Sequence, residues 1–79
     1  MIITEFPHET FIKIENEPYF AGRITVNKLG DKFNAEIDIV NTETLKIYKH
    51  IDVLYNFSVA EEAHDNAIQK LSNVLKGQS

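Results

Sequence analysis

Segment 58–76 constrains the fold most strongly, because its apolar residues repeat at the spacing of an amphipathic helix. Ser58 and Glu61 have the spacing of a capping box, so we predict a helix that begins at about Val59. Gly77 follows the last apolar residue and is expected to end the helix. An isolated helix of this length is marginal in water, so the rest of the chain must cover its apolar side. The residues on that side are Ala60, Ala63, His64, Ala67, Ile68, Leu71, Val74 and Leu75.

The residues before the helix alternate in polarity as half-buried strands do, and short turn sequences separate them. Gly30 lies in the hairpin that joins the second strand to the third. Residues 1–6 add a short N-terminal edge strand or arm, which Pro7 ends. The four main strands are predicted at residues 10–15, 19–27, 32–40 and 45–50.

Short connections favour an antiparallel meander over a crossover topology. We therefore predict one small α+β domain over residues 1–79, with the element order β-β-β-β-α. Its C-terminal amphipathic helix packs on one face of the four-stranded sheet. Gly22 lies inside the second strand, where a missing side chain allows close approach, and one of the helix alanines is its expected neighbour.

Segment 51–57 is the most apolar run, with Asp52 and Asn56 as its only polar residues. Such a run does not stay exposed on a soluble monomer. It extends the fourth strand, crosses beneath the helix or meets a second copy of the chain. The sequence pattern leaves these three alternatives open.

The composition is that of an ordinary soluble domain, with a formal net charge of −4 and 43% hydrophobic residues. The chain has no cysteine, which excludes disulfides and thiolate chemistry and favours a cytoplasmic location. It also has no signal-peptide pattern and no apolar run that approaches the ~20 residues of a membrane span. The acidic balance argues against nucleic acid as a partner.

The sequence contains no recognisable catalytic or cofactor motif. Its three glycines are scattered, and its histidines, at positions 8, 50 and 64, fall on a presumed loop, a strand and a helix. We predict no catalytic residue, no cofactor and no metal, and we interpret His64 as a structural histidine at the core boundary. A weaker alternative is an acid/base or metal cluster, because His50 and Asp52 share one side of a strand next to Glu36 and Asp38.

Four strands and one helix leave one sheet face uncovered, and this face is the predicted site of function. Tyrosine and arginine are common anchors of protein interfaces. The simpler alternative is a solvated face on which Arg23 pairs with Glu36 or Asp38. The candidate interaction residues are Tyr19, Arg23, Glu36, Asp38, Tyr48 and His50.

Residues 57–63, FSVAEEA, resemble the strand-to-helix junction of many small sheet-plus-helix proteins, antitoxin-like domains among them. We carry no function across from that resemblance. From the residues themselves, we predict a small non-catalytic protein-interaction or regulatory domain that self-associates as a homodimer. The alternative is a nucleic-acid-associated module that binds through the uncovered sheet face.

Overall fold

A computed structural model describes residues 2–77 and shows one antiparallel sheet followed by a helix. The four strands lie side by side in chain order, which confirms the predicted β-β-β-β-α meander. The predicted strand bounds lie within two residues of the observed ones, except that the fourth strand continues seven residues beyond residue 50. His8 lies in the first strand rather than in a loop. The elements are β1 (His8–Lys13), β2 (Phe20–Leu29), β3 (Lys32–Asn41), β4 (Ile47–Phe57) and α1 (Ala60–Leu75).

The core lies between α1 and one face of the sheet. Ile24 and Ile37 in the central strands are fully buried there against Ala63 and Ala67 of the helix. Full burial of one such aliphatic side chain stabilises the fold by about 1.5–3 kcal/mol before entropy is subtracted. Small residues on the helix therefore let its first turns lie close to the large residues of the sheet.

The close approach predicted at Gly22 is present, but its partner is a leucine. A Cβ atom at Gly22 would collide with Cδ2 of Leu71, which is 1% exposed. The expected alanine neighbour is wrong, because the C-terminal half of α1 crosses β2 at this position. Gly22 thus accommodates the one large, fully buried side chain of that half of the helix.

The capping box at the helix start does not form. Val59 is the N-cap, its side chain accepts no hydrogen bond from the N–H groups of the first turn, and the helix begins at Ala60. The Glu61 carboxylate instead accepts the backbone N–H of Ile3 at 2.6 Å, while Ser58 accepts from Lys32 at 3.2 Å. Partners distant in sequence have replaced the local capping bonds. Within residues 2–77, no helix is long and apolar enough to span a membrane.

Of the two alternatives predicted for residues 1–6, an edge strand or an arm, the described residues show the arm, since residues 2–7 form no strand. Ile3 is 7% exposed within the core, and the ring of Phe6 lies 5.4 Å from that of Phe33. The arm thus packs Ile3 and Phe6 against the core near the start of α1, whereas Ile2 is 84% exposed.

Segment 51–57 belongs to β4, where it packs its apolar residues Ile51, Leu54 and Phe57 against the core. The pairing of β3 with β4 shifts register three times, as at β-bulges. One shift puts Asp52 opposite Ile37, on the helix side, where its carboxylate lies 3.9 Å from Nζ of Lys70. The predicted common side for His50 and Asp52 is therefore wrong.

Candidate functional site

Strand pairing collects four of the six candidate residues at the centre of the uncovered face. Phe11, Arg23, Asp38 and His50 are paired in one row across the four strands. Glu36 lies two residues before Asp38 on the same side of β3. Arg23, Glu36, Asp38 and His50 thus form one cluster, here called the charged row.

Asp38 is the centre of the charged row and is fully buried, although α1 packs on the opposite face of the sheet. One carboxylate oxygen lies 3.4 Å from Nη2 of Arg23 and the other 2.9 Å from Nδ1 of His50. Nη1 of Arg23 also lies 3.7 Å from the Glu9 carboxylate. The Arg23 side chain is 17% exposed, so its pairing with Asp38 is more desolvated than an ordinary surface ion pair. The predicted pairing of Arg23 is confirmed for Asp38.

The two carboxyl groups of β3 have pKa values displaced in opposite directions. A hydrogen bond with Asp38 raises the pKa of Glu36, and burial raises it further. Burial alone would raise the pKa of Asp38, but hydrogen bonds from Glu36, His50 and Arg23 outweigh burial and lower it. The favoured state is therefore an ionised Asp38 beside a Glu36 that holds a proton more readily than usual.

Glu36, Asp38 and His50 are also the residues that could hold a metal ion. Their ligand atoms lie within 4.8 Å of one another. However, the Arg23 guanidinium binds the same Asp38 carboxylate, and its positive charge opposes a cation at that position. The charged row is thus better suited to holding Arg23 and His50 in place than to binding a metal.

The two candidate tyrosines do not join the charged row. Tyr48 is the extra residue of β4 where the pairing shifts between Ile39 and Val40. Its ring lies 4.5 Å from that of Phe20, which packs against the helix-side core. The predicted position of Tyr48 on the uncovered face is therefore wrong. Tyr19 precedes β2 and is 63% exposed.

An apolar patch adjoins the charged row, and the sequence interpretation missed it. Phe11, Leu45 and Ile47 are 48%, 51% and 52% exposed, and these three residues are named the apolar patch below. Ile47 pairs with Val40, which is fully buried on this face. A depression of about 260 Å³ lies in this region, lined by Phe11, Ala21, Val40, Thr42 and Leu45.

The patch was missed for two different reasons. Simple alternation over residues 45–50 predicts Leu45 and Ile47 on the face opposite to His50, but the register shift puts Ile47 opposite Val40. Phe11 could have been found, because it alternates with the inward-facing Ile12 and so must face the other way.

Leu45 is held in a left-handed backbone conformation, with φ 60°. Its N–H donates to the Asn41 carbonyl at 2.8 Å, and the Asn41 side chain accepts the N–H groups of Glu43 and Thr44. A non-glycine residue pays about 1–2 kcal/mol for this conformation. Glycine or asparagine would adopt this conformation at a lower cost in free energy.

Comparison with known proteins identifies no relative. No family model matches the sequence, no curated protein matches it, and no solved structure matches the fold. A functional proposal therefore rests on the geometry of the uncovered face.

Proposed function

We propose that this chain is a small non-catalytic protein-interaction domain that binds a protein partner through the apolar patch and the charged row. The observation that carries the proposal is the set of half-exposed side chains Phe11, Leu45 and Ile47, with the shallow depression that Phe11 and Leu45 help to line. A contiguous apolar surface with a polar rim is typical of protein interfaces.

The neighbouring charged row supports the same function. Interfaces gain most of their binding energy from a few well-packed residues, with arginine and aromatic residues enriched among them. Arg23 is held between Asp38 and Glu9, so little side-chain entropy remains to be lost when a partner binds. The strained Leu45 adds a second argument, because its conformation costs free energy that a contact with another molecule would offset.

Nucleic acid binding receives less support. Arg23 is already paired with two carboxylates, and Tyr48 packs with its ring tilted against Phe20 rather than being presented on the uncovered face. The formal net charge of −4 repels a phosphate backbone. The absence of cysteine supports a cytoplasmic location as part of the proposal.

Leu45→Asn tests the proposal, because asparagine tolerates the left-handed conformation and removes the apolar side chain. Leu29→Asn is the matched control: Leu29 is 58% exposed and lies eight residues beyond Ala21 on β2, about 26 Å along the strand. Proteins that cross-link to the wild type in cells should be identified by mass spectrometry. Their affinity for the wild type and for both variants should then be measured.

We expect a partner that remains bound to Leu29→Asn and loses at least about tenfold in affinity with Leu45→Asn. Equal binding of the partner by the two folded variants would overturn the proposal. A loss of binding by both variants would also overturn it. Circular dichroism of each variant establishes that the comparison is between folded proteins.

A further inference from the structure

The sheet has two edges, and only β1 is suited to pairing with another strand. β4 shifts register three times against β3, and such bulges bend an edge and disfavour further pairing. β1 pairs with β2 from His8 to Lys13 without a shift. The backbone groups along its other side are therefore presented in a regular row.

A groove runs beside this edge on the helix side of the sheet. α1 packs on β2, β3 and β4 and reaches β1 through side chains, as in the 3.0 Å hydrogen bond between His64 and Thr10. The space left between β1 and the C-terminal half of the helix is about 710 Å³. Its apolar lining is contributed by Ile12, Ile14, Ile68, Leu71 and Leu75.

We propose that β1 pairs in antiparallel fashion with β1 of a second copy, about a two-fold axis at Phe11. Residues opposite each other in an antiparallel pair lie on the same face of the sheet. With Phe11 opposite its symmetry mate, Glu9 of each copy lies opposite Lys13 of the other. The symmetry produces this attractive pair twice, once on each side of the two phenylalanines.

The exposure of these residues fits the same arrangement. Phe11 is 48% exposed, and Glu9 and Lys13 are exposed on the same face of β1. On the opposite face, Ile12 of one copy lies opposite Thr10 of the other. An axis at Phe11, perpendicular to the sheet, puts both helices on the same side. Ile14, which lines the groove, then lies opposite His8 of the other copy, so the second copy borders the open side of each groove.

This inference shares Phe11 with the proposed partner surface, but it is tested at Glu9 and Lys13, which belong neither to the apolar patch nor to the charged row. It accounts for the groove, which the proposed function leaves unused. The pairing would also place the apolar patches of two copies side by side through Phe11.

Two single charge reversals and their mixture test the pairing. Glu9→Lys makes both opposed residues lysines, and Lys13→Glu makes both opposed residues glutamates. In a mixed dimer of the two variants, the lysines of one copy lie opposite the glutamates of the other. Lys28→Glu is the control, because Lys28 is exposed at the far end of β2.

Sedimentation at several protein concentrations should show a dimer for the wild type and for Lys28→Glu. Each β1 variant alone should dissociate at least about tenfold more readily, and the equimolar mixture should regain the dimer. A wild-type chain that remains monomeric at millimolar concentration would overturn the proposal. A dimer that neither variant weakens would also overturn it, as would two weakened variants whose mixture remains monomeric.

Discussion

The contact between Gly22 and Leu71 predicts a specific form of energetic coupling between helix and sheet. Leu71→Ala removes a side chain that is 1% exposed, and such truncations cost about 2–5 kcal/mol of the free energy of unfolding. Leu71 also borders the groove beside β1, so its surroundings can relax into the space it leaves. We therefore expect about 2–3 kcal/mol, in the lower part of that range.

Gly22→Ala acts on the same contact from the other side. The new methyl group would collide with Cδ2 of Leu71, and overpacking of this kind costs about 1–3 kcal/mol. Replacing glycine also restricts the unfolded chain, which returns about 0.4–1 kcal/mol. The single variant should then be about 1–2 kcal/mol less stable than the wild type.

The double variant Gly22→Ala, Leu71→Ala should be more stable than the sum of the single effects implies. The methyl group at position 22 occupies space that the shortened side chain at position 71 leaves, so we expect a coupling of about 1–2 kcal/mol. Urea unfolding of the wild type, the two single variants and the double variant measures this coupling energy. The slopes of the free energy of unfolding against urea concentration should be compared among the four proteins. Additivity within about 0.5 kcal/mol would refute the packing described for α1 on β2.

Two further predictions concern carboxylates. The raised pKa of Glu36 favours its neutral form in the fold, so its stabilising contribution is present below its ordinary pKa of 4.5 and is lost as the pH rises through the folded pKa. Glu36→Gln should therefore be more stable than the wild type at pH 7, by less than about 1 kcal/mol. Thermal melts should show this difference disappearing near pH 4. A variant that is less stable than the wild type at pH 7 would contradict the hydrogen bond to Asp38. The pKa of Glu61 is lowered by the N–H of Ile3, so its contribution is present above pH 4.5 and is lost as the pH falls through the folded pKa. Glu61→Gln should speed hydrogen exchange of the Ile3 amide at pH 7, and unchanged exchange would show that the arm is held by packing alone.

The order of elements could be predicted because each one carries its own local signal. The helix has a continuous apolar stripe, and the strand of Ile37 alternates without interruption. The bend at Gly30, with φ 64°, follows from a residue that accepts a left-handed conformation without strain.

The errors arose where a distant partner decided the outcome. Ser58 and Glu61 have the spacing of a capping box, but Lys32 and Ile3 bind their side chains instead. No local pattern contains that competition, because Ile3 and Glu61 are 58 residues apart in the chain.

The candidate site was predicted in part for the same reason. Arg23 and Asp38 lie on strands without register shifts between them, so alternation placed them correctly on one face. Tyr48 and Ile47 lie on β4, where each shift reverses the assignment of the residues that follow. A bulge depends on how two strands twist against each other, and one strand's sequence does not reveal it.

The free energy of unfolding of Leu45→Asn tests most directly whether the apolar patch serves binding rather than folding. Leu45 is about half buried, so removing its side chain lowers the free energy of unfolding by about 1 kcal/mol. Asparagine tolerates the left-handed conformation at φ 60° better than leucine does, which raises the free energy of unfolding by a similar amount. We predict a stability within about 1 kcal/mol of the wild type. A loss of about 2 kcal/mol or more would contradict the account, because it would show that Leu45 is part of the core rather than a surface kept for a partner.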